Sequence, residues 1–186
     1  LWDIAGKFYG VPVYRLLGGK CRNKVRVYNH TAGRTEDELV ESAKKAVAEG
    51  YTALGHLNPY LDEPRDLPYR DGNAAMLYKA ERRIAMIREA VGEEVDLCLE
   101  LHRRLEPGLA IQLSARLEPY APMFLEDPIR PDNFDAMAEV AQKCRIPIAT
   151  GERIHTAHEF EMLLARGACS YVRVSLGVCG GFTGAK

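Results

Sequence analysis

The sequence predicts an α/β fold of repeated βα units, and it favours a (β/α)8 TIM-type barrel over an open doubly wound sheet. Short apolar segments alternate with amphipathic segments of helical period, in the order strand, loop, helix. The strand segments are apolar on both faces, which is typical of a parallel sheet that helices cover. No G-x-G-x-x-G pattern follows the first strand, although an open dinucleotide-binding sheet would require one.

The first βα unit shows the signals that define each element. The segment "VRVYNH" (25–30) is predicted to be a strand, and 35–50 is predicted to be a helix. Thr35 and Glu38 have the spacing of a capping box at the start of this helix, and Gly50 is suited to its end. The same reasoning applies to the units that follow.

The later strands and helices continue the alternation. Further strands are predicted at 52–57, 95–100, 123–126, 146–150 and 171–175. Further helices are predicted at 73–90, from Pro107 onward, at 133–143, and after a second capping box formed by Thr156 and Glu159. Because every helix must carry the chain back along the sheet, the strands are expected to be parallel.

Composition excludes several classes of partner. The net charge is −1 and the pI is about 6.6, so neither a nucleic acid nor a membrane is indicated. No apolar run approaches the roughly 18 residues that a membrane span needs. The five cysteines are odd in number and never form C-x-x-C. We therefore expect free thiols in a reducing compartment, the cytoplasm.

Three glutamates recur at one spacing. Glu100, Glu126 and Glu152 are 26 residues apart, each near the end of a predicted strand. In a barrel these ends converge on one mouth, where three like charges would repel each other unless a cation lay between them. Hard oxygen ligands without a cysteine or histidine triad favour Mg²⁺. The alternative is that glutamates end strands at the solvent by chance.

His102 follows Glu100 by two residues. Residues i and i+2 of an extended segment share a face, so both side chains can point into the mouth. An imidazole suits proton transfer because its pKa lies near neutral pH. The alternative is a surface histidine that bonds only to backbone.

Four motifs carry a resemblance to a known family. "LELHRRLEP", "FLEDPIRPDN", "PIATGERIHT" and the Gly-Gly after "YVRVSLGVC" resemble the enolase superfamily. The match is best to its mandelate racemase-like branch of acid-sugar dehydratases, such as galactonate, gluconate and mannonate dehydratases. The resemblance implies Mg²⁺ held by Glu100, Glu126 and Glu152, and His102 in a D-x-H pattern that reads E-x-H here.

The resemblance also implies a reaction and a substrate. In the family's chemistry a base removes the proton alpha to a carboxylate, and Mg²⁺ stabilises the enediolate. An acid, here His102, then protonates the departing 3-hydroxyl group and leaves a 2-keto-3-deoxy acid. The implied partner is a small-molecule sugar acid, and the implied assembly is a homo-oligomer.

A longer chain is expected on the same grounds. A complete barrel takes about 250 residues, so the predicted units are about six of eight. Residues 1–24 resemble the family's connection from an N-terminal α+β capping domain into the barrel, and 25–186 would be the partial barrel. We expect the capping domain before Leu1 and two further βα units after Lys186.

Some expected parts of the family pattern are absent. Ser175 stands where related sequences carry an aspartate five residues before the Gly-Gly, and "LGHLNP" lacks the K-x-K of racemizing relatives. A catalytically silent barrel that binds metal and sugar acid therefore remains an alternative. A metal-dependent hydrolase on the same fold is disfavoured, because "YNHTA" supplies only His30 where such sites usually have H-x-H.

Further side chains are weaker candidates. Substrate contacts are predicted for Asn29, His56, Arg173 and His155, with helix capping as the alternative for His155 and pairing with a helix carboxylate as the alternative for Arg173. Asp127 is expected to point away from the mouth into a structural ion pair. His56, Tyr60, Arg65, Tyr69 and Arg70 lie on or after the second strand, where this branch builds its substrate lid. A tyrosine beside an arginine there could supply a base, and the alternative is a structured loop or an oligomer contact.

Overall fold

The computed structural model describes residues 1–60 and 71–186, and within them six strands form one parallel sheet. The strands are β1 (Asn29–His30), β2 (Ala53–Leu57), β3 (Asp96–Glu100), β4 (Phe124–Glu126), β5 (Ile148–Thr150) and β6 (Tyr171–Val172). They are hydrogen-bonded in the order β1-β2-β3-β4-β5-β6. Each crossover moves one strand along in the same direction, as in a barrel wall and unlike a doubly wound sheet with a switch point. The predicted fold class is confirmed.

Helices connect successive strands. Two short helices, α1 (Trp2–Tyr9) and α2 (Val13–Leu16), precede the sheet. The connecting helices are α3 (Glu36–Ala48), α4 (Asn73–Val91), α5 (Pro107–Leu117), α6 (Phe134–Lys143) and α7 (Ala157–Ala165), and α8 (Gly181–Ala185) follows β6. Within the described part of the chain, no helix combines the length and apolar character needed to cross a membrane. The assignment of 1–24 to a connection and of 25–186 to a partial barrel stays a prediction.

Helix ends follow the predicted capping signals with one difference. Thr156 and Glu159 form the complete capping box of α7, because each side chain bonds to the other's backbone N–H. At α3 the Thr35 hydroxyl accepts the Glu38 N–H, but the Glu38 carboxylate accepts the N–H of Arg34 instead of that of Thr35. The α3 cap therefore satisfies two backbone N–H groups, as a capping box does, but one of them belongs to Arg34 and not to Thr35.

The two faces of the sheet differ in what covers them. Leu97 and Leu99 of β3 belong to the main apolar core, which they form with buried residues of the connecting helices. Cys98, between them in sequence, lies in a separate small cluster with Phe124 and Ala149 on the opposite face. Strand alternation thus divides the sheet into a helix-covered outer face and an inner face that leads to the strand ends.

The outermost strands are shorter than predicted. The sequence predicts strands at 25–30 and 171–175, but the ladders extend only over 29–30 and 171–172. Val25 and Val27 are 71% and 61% exposed. Among the described residues each outer strand pairs with one neighbour, so fewer backbone bonds hold its ends in the extended form.

Candidate active site at the carboxyl ends of the strands

A cavity of about 360 Å³ lies at the carboxyl-terminal ends of the strands, where a barrel gathers its loops. Every strand contributes at least one residue to its lining, either from the strand itself or from the segment next to it. For β5 this residue lies in the turn that follows the strand. The described residues that line the cavity are Tyr28, His30, His56, Glu100, His102, Glu126, Glu152, Arg173, Val174 and Ser175. Carboxylates, imidazoles and a guanidinium therefore share one space.

Two of the predicted carboxylates are adjacent and buried. Glu100 and Glu126 are the last residues of β3 and β4, and they lie in register across the ladder. Their residues are only 2% and 3% exposed. Burial, together with the neighbouring charge of Glu126, raises the pKa of Glu100 to about 8. Buried oxygen donors that repel each other form a set that a hard divalent cation would stabilise.

Glu152 lies at a different height in the site. β5 ends at Thr150, so this glutamate is in the following turn and not at the end of the strand. Its carboxylate accepts a bond of 3.1 Å from Arg103, which also donates to Asp127 at 3.0 Å. The second oxygen of Asp127 accepts the Thr150 hydroxyl at 2.6 Å. Asp127 therefore serves the structural ion pair that the sequence predicts, and through Arg103 it fixes Glu152.

Arg173 bonds to residues inside the cavity and not to a helix. Its Nε donates to Glu126 at 2.7 Å, and its Nη2 donates to the Tyr28 hydroxyl at 2.6 Å. The guanidinium also stands over the Tyr28 ring, 5.5 Å from its centre. The alternative of a bond to a helix carboxylate is wrong, because the partner is a carboxylate at the end of a strand inside the cavity. Arg173 thus holds Glu126 in a defined position.

His102 reaches the cavity from a turn and not from an extended segment. Its φ is 51°, and that of Arg103 is 62°, so the chain after Glu100 adopts a left-handed conformation. The His102 N–H donates to Glu100 at 2.7 Å. The extended geometry expected for Glu100 and His102 is therefore wrong, although both side chains do line the cavity. Burial lowers the pKa of His102, and the charges of His56 and Arg103 lower it further.

His56 enters the cavity through an irregularity in β2. The register with β3 shifts between Leu54 and Leu57, and His56 has a φ of 49°. This bulge leaves both leucines in the outer core and turns His56 inward. Its ring stacks on His30 at 4.8 Å and meets the edge of His102 at 4.7 Å. Burial lowers the pKa of His56, and His30 lowers it further.

Two predicted substrate contacts do not line the cavity. Asn29 precedes His30 on β1, so strand alternation assigns it to the other face. His155 is exposed, and its backbone N–H donates to Glu159, which agrees with the capping alternative. Tyr60 is buried outside the cavity lining, and burial raises its pKa, which argues against a tyrosine base there. Arg65, Tyr69 and Arg70 lie outside the described residues.

Sequence reasoning missed two residues that shape the site. Tyr28 lines the cavity and anchors Arg173, and its position two residues before His30 on one face could have indicated it. Arg103 joins Asp127 to Glu152 across two βα loops. Only the neighbouring letters "HRR" pointed to it, and they do not specify a partner.

Comparison with known proteins assigns the chain to a family. Residues 38–186 match the family described as "Enolase C-terminal domain-like". The chain is similar to a D-galactonate dehydratase family member of Catenulispora acidiphila, with 39% identity over 98% of this chain and 46% of that protein. It is also similar to a D-gluconate dehydratase of Thermoproteus tenax, with 34% identity over 99% of this chain and 36% of that protein.

A solved structure gives the same result. A mandelate racemase/muconate lactonizing enzyme-like protein from Roseovarius sp. TM1035 superposes with a TM-score of 0.89 at 36% identity, over 99% of this chain and 48% of that one. The chain spans less than half the length of the curated relatives named above.

Proposed function

The chain belongs to the enolase superfamily, in its mandelate racemase-like branch, and from that premise we propose that it carries most of the active site of a sugar-acid dehydratase. The reaction is the Mg²⁺-dependent dehydration of an aldonate, such as galactonate, gluconate or mannonate, to a 2-keto-3-deoxy acid through an enediolate. The relatives that are named D-galactonate and D-gluconate dehydratases support this class of substrate.

One observation carries the proposal: Glu100 and Glu126 are buried side by side at the inner end of a cavity that His102 also lines. Glu152 completes the proposed ligand set, with its carboxylate held by Arg103. The donors are all carboxylate oxygens, which fit Mg²⁺. When bound, Mg²⁺ would supply positive charge opposite the substrate carboxylate and make the alpha proton more acidic.

His102 is the proposed proton-transfer residue. A base removes the proton from the carbon alpha to the carboxylate, and the electron pair moves into the carboxylate to form an enediolate. The enediolate then expels the 3-hydroxyl group and forms a double bond between carbons 2 and 3. His102 donates a proton to that hydroxyl group, which leaves as water. The resulting enol loses the proton of its carbon-2 hydroxyl group, takes up a proton at carbon 3 and becomes the 2-keto-3-deoxy acid. The cavity lining provides His102 within reach of the proposed metal ligands, since its N–H bonds to Glu100.

Substrate binding falls to the other polar residues of the cavity. Arg173 and His56 line it and can bond to a carboxylate or to hydroxyl groups, which supports their proposed role. Substrate contacts are also predicted for Asn29 and His155, but the positions of these residues outside the cavity lining do not support that role. The homo-oligomeric state and the cytoplasmic location expected from the sequence also remain proposals for the whole protein.

The test is a panel of aldonic acids with Mg²⁺, applied to the intact protein. We expect a keto-acid product from at least one member of the panel. His102→Asn should keep Mg²⁺ binding and lose about 10²–10⁴-fold in kcat, the usual scale for a general acid or base. His158→Asn is the matched control, because His158 is exposed on α7 and away from the cavity, and it should retain the parent rate.

Exchange of the alpha proton into deuterated water separates the two proton-transfer roles. Exchange that survives in His102→Asn identifies His102 as the acid alone. Loss of both exchange and dehydration, with the metal still bound, makes it the base or both base and acid. Dehydration at the parent rate in this variant would remove His102 from the mechanism.

The silent barrel is the second candidate function, and Ser175 favours it. This serine lines the cavity where related sequences carry the aspartate that orients a histidine. A hydroxyl group cannot balance the charge of an imidazolium as a carboxylate does. Binding of Mg²⁺ and of a sugar acid, without keto-acid product from any member of the panel, would support this alternative.

A further inference from the structure

Three ligand atoms from His56, Glu100 and His102 lie within 4.8 Å of one another, and this is the metal-competent group found among residues 1–60 and 71–186. Two imidazole nitrogens and one carboxylate oxygen make up the group. The set differs from the three proposed Mg²⁺ ligands in two of its three members, and it shares Glu100 with them.

The backbone holds both imidazoles in this arrangement. His56 is turned inward by the bulge in β2, and His102 follows β3 in a left-handed turn. Positive φ values are unfavourable for residues that carry a Cβ, and such conformations concentrate where a fold positions functional side chains. The ring of His30 supports one side of His56, and the N–H of His102 fixes one oxygen of Glu100. The three groups are therefore positioned before any ligand arrives.

The chemistry of the group points to a metal other than Mg²⁺. Imidazole nitrogen suits Zn²⁺, Co²⁺ and Ni²⁺, whereas Mg²⁺ prefers oxygen ligands and an octahedral shell. Two histidines and one carboxylate are an established zinc ligand set with a free position for water or a further ligand. The group opens into the cavity, which leaves room for that position.

We propose that His56, Glu100 and His102 form a binding site for a borderline divalent metal ion of the Zn²⁺ class, and that its occupancy excludes Mg²⁺ because both ions require Glu100. Occupation also removes His102 from proton transfer, so the ion is an inhibitor of the dehydratase. The binding itself does not depend on the proposed function, whereas the exclusion of Mg²⁺ and the inhibition rest on it.

Co²⁺ is the probe, because its visible absorption changes with the geometry and the ligands around the ion. The intact protein is freed of metal with a chelator and titrated with Co²⁺, and bound metal is counted by equilibrium dialysis. We expect one Co²⁺ ion per chain with a visible band. Removing a residue that only supports a metal ligand costs up to about 100-fold in affinity. Because His56 is itself a proposed ligand, His56→Asn should lose at least about 100-fold. His56→Gln should behave in the same way, and circular dichroism verifies that both variants are folded.

His158→Asn is the matched control, because it removes an exposed imidazole on α7, and it should retain the parent Co²⁺ affinity. His30→Asn removes the ring that supports His56 but none of the three ligands. It should keep the Co²⁺ band and lose about 10-fold in affinity, which is less than His56→Asn loses. Unchanged Co²⁺ affinity in His56→Asn, or equal loss in His158→Asn, would show only adventitious binding and overturn the site.

Competition with Mg²⁺ separates this proposal from the proposed function. We expect Mg²⁺ to lower the apparent Co²⁺ affinity of the parent protein, and Glu126→Gln to remove that competition while Co²⁺ binding persists. Co²⁺ binding that depends on His56 but is indifferent to Mg²⁺ contradicts the exclusion and questions the three-glutamate set. Binding of Mg²⁺ that depends on Glu126, without any Co²⁺ site, contradicts the inference and leaves the proposed function standing.

Discussion

The outer and inner faces of one strand show two different uses of burial. On β3, Leu97 and Leu99 are fully buried against the connecting helices, as part of an extended apolar core. Cys98 and Glu100 alternate with them and face inward, where the apolar cluster is small and a buried carboxylate follows. Residues one position apart therefore experience an apolar medium on one side and a polar cavity on the other.

The difference separates stability from chemistry within a single strand. Apolar burial on the outer face contributes the favourable free energy that folding needs. On the inner face, Glu100 and Glu126 are buried side by side, and the pKa of Glu100 is raised to about 8 because its ionisation there costs free energy. The free energy gained by apolar burial on the outer face therefore offsets the cost of burying the two glutamates on the inner face.

The largest effect is expected from truncating the outer face. Leu99→Ala leaves a cavity among the helices, and we expect it to lower the free energy of unfolding by about 2–5 kcal/mol. Cys98→Ala is the matched inner-face variant and should lower it by less than about 1.5 kcal/mol, because a smaller side chain is removed from a smaller cluster. Urea denaturation of the intact protein measures both. Equal losses would contradict the division between the faces.

An intermediate effect is expected from the cation at the inner face. Mg²⁺ at 100 times its Kd should raise the free energy of unfolding by about 2.7 kcal/mol. Glu100→Gln should lose most of this increase, and in chelator it should be at least as stable as the parent, since it removes a buried carboxyl group whose ionisation is opposed by burial and by Glu126. Thermal unfolding with and without Mg²⁺ measures the increase.

An exposed carboxylate provides the control for that experiment. Glu161→Gln changes a carboxylate whose side chain is 81% exposed on α7, and it should keep the full Mg²⁺-dependent increase. If Glu100→Gln keeps it as well, Glu100 does not contribute to the binding of the cation.

The smallest effect is expected from a charge on the outer layer. Bonds from Arg82 lower the pKa of Glu36 below its ordinary value of 4.5. A lowered folded-state pKa stabilises the protein above the unfolded-state pKa, and this contribution disappears as the pH falls through the folded-state value. Because Arg82 is largely exposed, Glu36→Gln should cost only about 0.5–1 kcal/mol at pH 7, and it should cost less at pH 3.

Denaturation at the two pH values measures the Glu36 contribution. Glu41→Gln, whose partner Lys44 is on the same exposed helix surface, should have a smaller effect at pH 7. The same loss for Glu36→Gln at both pH values would show that packing, and not charge, is responsible.

The sequence was informative where one rule acts over many residues. Period-2 and period-3.6 patterns predicted the strands and helices in order, and the capping box of Thr156 and Glu159 is confirmed. The matched spacing of the glutamates correctly indicated side chains at one mouth, because parallel strands present their carboxyl ends to the same edge. Family membership followed from the motifs around these glutamates, and the comparisons confirm it.

Local backbone geometry could not be predicted in the same way. Side chains of a strand alternate between its two faces, so an inward-facing Gly55 would place His56 on the outer face. The register shift between β2 and β3 turns His56 inward instead. The left-handed turn at His102 and Arg103 likewise depends on bonds to the segment after β4, such as Arg103 N–H to the Asp127 carbonyl. These contacts join residues distant in sequence, so no periodicity records them.

The inner face of β2 carries a glycine whose role extends beyond its own strand. A Cβ at Gly55 would overlap the ring of Tyr28, which lies directly on it. The Tyr28 hydroxyl accepts a bond from Arg173, which in turn bonds to Glu126. A side chain at position 55 would therefore disturb a proposed metal ligand without touching it, unless residue 28 became smaller at the same time. Positions 28 and 55 are thus expected to covary among homologues. A larger residue at 55 and a smaller one at 28 should be tolerated together but not singly.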